Sequence, residues 1–511
     1  MPAKFHSFAL VGLDAVPLTV EVDQSKGALP GLIIVGSPDA TVKEAKERVR
    51  SAVRRAVGAF PKGRVVVNLA PAHIRKEGPL HDLAVALAVL AAAEPVTPAG
   101  DRTKRAFVGE LGLDGTVRPV HGVLPVALAA AELGFEELYA PERNAAEAAL
   151  AVGGPDVRLR VFPVRSLVQA LLHLKGAKPL APLDPSSVPA ATAAPDGLDL
   201  SQVHGQQQAK RALEIAAAGA HNALLTGPPG AGKTMLARAL PTILPDMARE
   251  EALEVTKIWS VSGALGSAES LLAARPFRSP HHTASGAAIV GGGTWPRPGE
   301  VSLAHRGVLF LDEFPEFNRQ VLESLRQPLE DGCVTVSRSQ CTLKFPAKFM
   351  LVAAQNPCPC GYATDPDREC TCPAQATERY RRKVSGPLMD RIDLHLEVPK
   401  VDPNDLLGRP TGEPSDKIRA RVTEARQRAL RRLAGTGAFS NADLPQRLIR
   451  QHCRLDAATE KFLRGATDRL KLSARAVMRT LKVARTVADL AGEDTIAEPH
   501  LAEALQFRAR E

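Results

Sequence analysis

The stretch from Asn222 to Leu240 restricts how this chain can fold more than any other. A short apolar run, Ala223–Thr226, leads into a glycine-rich turn and then into helix-forming residues. That strand–turn–helix order is the setting of a phosphate-binding loop. Gly227, Pro228, Pro229, Gly230, Ala231, Gly232, Lys233 and Thr234 fit the pattern G-x4-G-K-[ST]. Glycines let backbone N–H groups close around a phosphate chain, and the following helix N-terminus adds a partial positive charge. Lys233 is placed to reach the β- and γ-phosphates, and the Thr234 hydroxyl to ligate Mg2+. A chance match in a glycine loop would lack the flanking strand and helix, so the expectation is a bound nucleoside triphosphate.

A second motif points to hydrolysis. Val308–Phe314 contains an apolar run too short for a helix, which reads as a buried parallel strand. It ends in Asp312 and Glu313, at the carboxyl edge where ligands of doubly wound sheets bind. Asp312 is expected to hold the Mg2+ shell and Glu313 to polarise the attacking water. A strand followed by a solvated acidic turn is the bland alternative, and the upstream phosphate loop argues against it.

The length, 511 residues, suits about two to four domains. Apolar residues at 45% and charged residues at 24% are ordinary for a soluble globular protein. The net charge of +9 favours a polyanionic partner only weakly, because a solvated basic surface gives the same number. The first residues lack a charged-then-apolar leader. The most apolar stretch, Leu83–Ala93, is too short to span a bilayer. A cytoplasmic location without membrane association is therefore expected. Aromatic residues are 4% of the chain, so any nucleic-acid contact should run through Arg and Lys rather than stacking platforms. Phe345, at the end of the alternating stretch Cys333–Phe345, is the aromatic to weigh for such a contact, with core packing as its competing role.

Composition divides the chain into four parts. Residues 1–175 alternate strand and helix signals, with Arg64–Leu69 strand-like and Asp82–Ala93 an apolar helix. Residues 176–198 are a linker rich in Pro and Ala. Residues 199–400 carry the phosphate-loop and acidic motifs. Residues 413–511 read as consecutive helices capped by Ser415 and Ser473. Between phosphate loop and acidic strand the sequence is too long for one plain helix, and Arg275–Gly286 with Gly291–Gly293 suggests an inserted loop or hairpin. Cys333–Phe345 alternates as a second hairpin, with Arg338 and Lys344 on or near it. His281 and His282 could line a pore, bind a metal or serve the loop.

Several motifs together carry a family resemblance: His204–Gln206, Gly227–Thr234, Arg278–His282, Gly307–Glu313 and Ser385–Asp393. The chain resembles the magnesium-chelatase-like AAA+ ATPases, and within them the YifB/ComM proteins, over nearly its whole length. The resemblance implies an α/β protein in three parts. These are a Lon-protease-like (ribosomal S5-like) α+β N-terminal domain, an AAA+ P-loop core of the helix-2-insert type and a C-terminal helical lid. It implies ATP and Mg2+ as cofactors, a homo-oligomeric and hexameric ring, and a DNA partner, single-stranded or branched. Proteins of this family are associated with natural transformation as branch-migration helicases. By the same resemblance Asn356 matches the sensor that orients the attacking water. Arg391 matches an arginine finger inserted into a neighbour's site, with a surface Arg paired to Asp390 or Asp393 as the alternative. Arg475 matches a second sensor. In the N-terminal domain Leu80 and Leu124 occupy the places of the Lon nucleophile and lysine. Neither side chain can attack a carbonyl or take a proton, so no peptidase activity is expected.

Four of the seven cysteines crowd into the loop 358–372. In a cytoplasmic chain, Cys358, Cys360, Cys370 and Cys372 read as a tetrahedral Zn2+ site before a disulfide pair, though C-x-C is tighter than the usual spacing. Cys333, Cys341 and Cys453 read as packing residues. The function expected is an ATP-driven DNA motor. A metal-chelatase motor subunit and a protein-remodelling chaperone are the competing readings.

Overall fold

The computed structural model describes residues 3–25, 31–36, 40–76, 78–94, 104–152, 157–188, 197–265, 271–293, 296–338, 341–401 and 412–508. Two compact units divide the chain: residues 1–192 with 249–273, and residues 193–248 with 274–511. Part of the expected linker, 189–196, and residues 402–411, between the third and fourth expected parts, lie outside the described residues.

The first unit is built on a seven-stranded mixed sheet. Its strands are β1 (Ala3–Val11), β2 (Asp14–Ser25), β3 (Gly31–Val35), β4 (Arg64–Ala70), β5 (Arg105–Phe107), β6 (Glu137–Pro141) and β7 (Arg160–Val164), in the order β3-β4-β2-β1-β5-β6-β7. Alternation sets the core face: in β4, Val65, Val67 and Leu69 are buried while the residues between them are not. Helix α1 (Ala40–Val57) adds Val49, Ala52 and Val53 to the same cluster. Helix α2 (Asp82–Ala93), apolar on every side, is buried from Asp82 through Leu90. Leu80 shares a second buried apolar cluster with Leu124 of α3 (Val123–Glu132).

The segment 249–273 belongs to this unit although it is encoded beyond the phosphate loop. A buried carboxylate is one of the groups that hold it there, beside the Gly122 N–H donating to Ser260 O and the Lys257–Asp14 ion pair. Glu147, on α4 (Glu142–Ala149), accepts from Leu124 N at 2.9 Å, Asn144 Nδ2 at 2.9 Å and Ser260 Oγ at 2.5 Å. A charge out of water needs such donors, and the helix Arg249–Ser262 supplies one of them. Helix α5 (Leu167–Leu174) adds Leu167, Ala170 and Leu171 to the cluster under α1.

Beside α2, His81 is buried with its Nδ1 3.4 Å from Ser7 Oγ. Burial and the nearby Lys76 ammonium push its pKa down to about 4. At neutral pH it is uncharged in both folded and unfolded chains. Below about 6.5 the unfolded chain takes a proton that the folded one refuses, so stability falls with acidification by up to about 3 kcal/mol near pH 4. Asp82, which burial pushes up to about 6 against its Arg48 ion pair, acts in the opposite direction. The difference between wild type and His81→Leu therefore isolates the histidine. Unfolding followed between pH 7 and pH 4 is expected to show the smaller acid loss in the variant.

The second unit contains a five-stranded, wholly parallel sheet. Its strands are β8 (Ala223–Thr226), β9 (Phe277–Arg278), β10 (Val308–Leu311), β13 (Met350–Gln355) and β14 (Leu394–Glu397), with the antiparallel hairpin β11 (Cys333–Arg338) and β12 (Cys341–Pro346) preceding β13. The sheet order is β9-β10-β13-β8-β14. Register aligns the carboxyl ends: Thr226 pairs with Gln355 and with Glu397, and Leu311 with Ala353. The residues after β8, β10 and β13 therefore emerge along one edge. Helices α6 (Gln207–Gly219) and α7 (Lys233–Ala239) are followed, beyond β14, by α8 (Ser415–Arg432), α9 (Ala457–Leu470), α10 (Ala474–Ala491) and α11 (Glu498–Gln506).

Ser473 caps α10, accepting from Ala476 N at 3.2 Å. Ser415 does not cap α8. Pro414 holds the cap position in extended conformation, and the Ser415 hydroxyl turns instead to Leu200 N at 2.8 Å and Thr242 Oγ1 at 2.7 Å. The expected hairpin at Cys333–Phe345 forms, with Lys344 exposed and Phe345 fully buried. The side chains of Arg338 and Cys341 lie outside the described residues. The glycine run makes a two-residue ladder, Gly291–Gly292 against Arg297–Pro298. Among the described residues no helix is long and apolar enough to cross a membrane.

Candidate functional site

The phosphate loop runs from the end of β8 to the start of α7. Gly227 opens it where a Cβ would lie 2.1 Å from the Val398 carbonyl oxygen, so only glycine fits there. Its N–H donates to Gln355 O at 3.2 Å, which ties the loop to β13. Lys233 Nζ donates to Gly227 O at 2.7 Å, Pro228 O at 2.8 Å and Asn356 Oδ1 at 3.1 Å. Burial lowers the pKa of this ammonium, and the Asp312 carboxylate opposes the shift.

Thr234 Oγ1 donates to Asp312 Oδ2 at 2.8 Å. Neighbouring ligands of an octahedral Mg2+ with bonds of about 2.0–2.1 Å stand about 2.9 Å apart. The two oxygens thus have the spacing of adjacent ligands to that ion. Glu313 has left-handed backbone, φ 51° and ψ 45°, costly for a residue with a side chain and found where a site fixes it. Its N–H donates to Asp312 Oδ1 at 2.9 Å. Its carboxylate Oε2 lies 3.0 Å from His282 Nδ1, and the rings of His281 and His282 are 4.2 Å apart. His282 is thus a partner of the acidic motif, a role beyond the pore lining, metal binding and loop role that the sequence suggests for it.

The four-cysteine loop follows Asn356 directly. The Sγ atoms of Cys358, Cys360, Cys370 and Cys372 all lie within 4.8 Å of one another. Cys358 is 3.3 Å from Cys360 and 3.6 Å from Cys370, and Cys360 is 3.7 Å from Cys370. A disulfide needs about 2.05 Å. A tetrahedron with Zn–S bonds of about 2.3 Å has edges near 3.8 Å, so these separations suit a four-thiolate metal site. Cys360 N donates to Cys372 Sγ at 3.3 Å, a contact that orients a sulfur ligand. Cys333 and Cys453 are buried, as packing residues should be.

Comparison with known proteins fits this geometry. Residues 199–406 match the profile of magnesium chelatase, subunit ChlI; residues 20–144 match that of subunit ChlI of Mg-chelatase; and residues 412–508 match that of the ChlI C-terminal region. The chain is 44% identical to the competence protein ComM of Haemophilus influenzae over 99% of its own length and 97% of that protein's. It is also 44% identical to YifB of Escherichia coli, over 99% and 96% of the two chains. The chain belongs to the YifB/ComM family of magnesium-chelatase-like proteins. A further similarity, 27% identity over 150 residues, joins it to a Lon protease of Mycolicibacterium smegmatis, covering 28% of this chain and 19% of that one.

Other residues of the YifB/ComM motifs find partners. Gln206, itself left-handed, donates from Nε2 to Ala231 O of the phosphate loop at 3.3 Å and to Pro399 O at 2.5 Å. Arg391 pairs with Glu330, not with Asp390 or Asp393, and donates from Nη1 to Pro387 O at 2.6 Å. Arg475 is exposed on the first turn of α10. One turn later, Arg479 Nη1 meets Asp393 Oδ1 at 2.6 Å. Although burial works the other way, His221, Arg479 and the Asn222 N–H hold the Asp393 carboxyl far below its usual range. From there the chain of contacts runs on among the C-terminal helices. His221 Nε2 is 2.7 Å from Thr486 Oγ1, Asn441 Nδ2 donates to Thr486 Oγ1 at 3.0 Å and to Asp489 Oδ2 at 2.8 Å, and Asp489 pairs with Arg432 at 2.6 Å. Apart from Asp393, none of these residues carries a motif signal; their separation in sequence hides them.

Proposed function

We propose that this chain is an ATP-hydrolysing AAA+ motor that acts on DNA, a ring-forming, hexameric branch-migration helicase of the ComM type serving natural transformation. The observation that carries the ATPase part is the convergence at one sheet edge of Lys233, Thr234, Asp312, Glu313 and Asn356. Lys233 binds the β- and γ-phosphates, and the phosphate-loop amides cradle the chain. Thr234 and Asp312 would hold Mg2+, which offsets phosphate charge when bound. Glu313, oriented by His282, takes the proton of the attacking water, and Asn356 positions that water. Arg391 is supplied by an adjoining copy, and Arg475 senses the nucleotide from the lid. The Cys358–Cys372 cluster holds a structural Zn2+, so elemental analysis of protein purified without chelator is expected to find one zinc per chain.

The DNA part is supported by the name of the competence relative, by the exposed Lys344 on the β11–β12 hairpin and by the net basic charge. In this reading that hairpin and the Gly291–Pro298 ladder reach into a central pore. Single-stranded or forked DNA is expected to raise ATP turnover at moderate salt. Binding should weaken steeply with salt, log K falling by about 0.9 per neutralised phosphate on duplex. Turnover indifferent to DNA but raised by unfolded protein would instead favour a remodelling chaperone.

A further inference from the structure

We infer that the four-cysteine metal loop braces the nucleotide pocket, so that metal occupancy sets the affinity for nucleoside triphosphate. This rests on the proposed metal and nucleotide sites and assigns them one shared element. The short run Gln355–Gly361 touches the phosphate loop three times. Gln355 O accepts from Gly227 N at 3.2 Å, and Asn356 Oδ1 accepts from Lys233 Nζ at 3.1 Å. Gly361 then turns back, its N–H donating to Cys358 O at 3.0 Å, and lies against Pro229. There φ is +90°, and a Cβ would stand 2.7 Å from Pro229 Cδ and 2.8 Å from Cγ.

Cys358 and Cys360 lie within that run, and Cys358 is fully buried. Cys370 and Cys372 arrive from the far arm of the loop. The backbone of Asn356 also hydrogen-bonds the Tyr380 hydroxyl, on the helix Ala374–Arg381 that follows the second cysteine pair. A metal bound by all four sulfurs would cross-link the arm bearing Asn356 and Gly361 to the arm leading to Tyr380. Without that cross-link, Asn356 and Gly361 would be held against Lys233 and Pro229 by the β13 ladder, the Lys233 hydrogen bond and the packing on Pro229. A metal site stores folding free energy in just such a loop, and loss of the groups that orient a metal site costs on the order of 10–100-fold in metal affinity or activity, the scale expected for the pocket it braces.

The test uses the full chain and two variants, Cys370→Ser/Cys372→Ser and Gly361→Ala. Metal content is read by elemental analysis, affinity with a fluorescent non-hydrolysable ATP analogue, and folding by circular dichroism. The double variant is expected to lose its metal and to bind the analogue at least about 10-fold more weakly. Gly361→Ala keeps all four thiols and is expected to weaken nucleotide binding as well. It decides the matter should the double variant fail to fold. Wild-type affinity in either folded variant would overturn the inference, as would a wild-type chain that binds nucleotide yet carries no metal. A wild-type chain that binds no nucleotide at all would instead remove the ATPase reading itself.

Discussion

A Glu313→Gln chain is expected to bind ATP with near wild-type affinity and to hydrolyse it about 10²–10⁴-fold more slowly, the range that a positioned general base contributes. The contacts explain the separation of the two effects. The groups placed for phosphate and Mg2+ are Lys233, Thr234 and Asp312, and none of them uses the Glu313 side chain. The carboxylate is fixed apart from them, by its left-handed backbone and by His282 at 3.0 Å. An amide keeps the shape and cannot take the proton. Equilibrium binding of the nucleotide and single-turnover hydrolysis measure the two effects separately. A Lys233→Ala chain, by contrast, is expected to lose binding.

Arg391→Ala is expected to cost more, on the order of 10³–10⁵ in turnover, the value of an arginine finger. The fold indicates whose nucleotide Arg391 can serve. Asn222 Nδ2 donates to the Arg391 carbonyl at 2.9 Å, and Asn222 stands at the amino end of β8. The phosphate loop leaves the carboxyl end of that strand. Four strand residues span about 13 Å, and the guanidinium turns to Glu330 and Pro387 O. Arg391 is therefore held away from its own phosphate loop. For it to act, a second copy must present its loop, and the Glu330 pair must open or be shared.

The reach of sequence reading follows from how local each signal is. Gly227 to Thr234 could be read directly, because a phosphate loop is written in consecutive residues and its flanking strand and helix are short-range features. Asp312 is legible because it ends an apolar run, whereas Asn356 is reached only through the family resemblance; parallel register brings both to one edge. Asp82–Ala93 formed with the bounds its apolar run suggested. Contacts made across the fold were not legible. His282 reaches Glu313, Glu330 reaches Arg391, and His221 links Asp393 to Thr486, all between residues whose spacing carries no period. Ser415 failed as a cap for the same reason, since Leu200 and Thr242 compete for its hydroxyl. The membership of 249–273 in the first unit rests on contacts such as Ser260 with Glu147 and with Gly122, both more than a hundred residues upstream, and no composition shift marks it.

Mixing two inactive chains tests most directly that one catalytic centre is made by two copies. Glu313→Gln keeps the finger and lacks the base; Arg391→Ala keeps the base and lacks the finger. In a head-to-tail ring assembled at random from equal amounts, roughly a quarter of the sites join an intact base to an intact finger. ATP turnover of the re-assembled mixture is predicted to rise to a comparable fraction of wild type. Turnover no greater than the sum of the two parents, from chains that demonstrably co-assemble, would contradict a shared site.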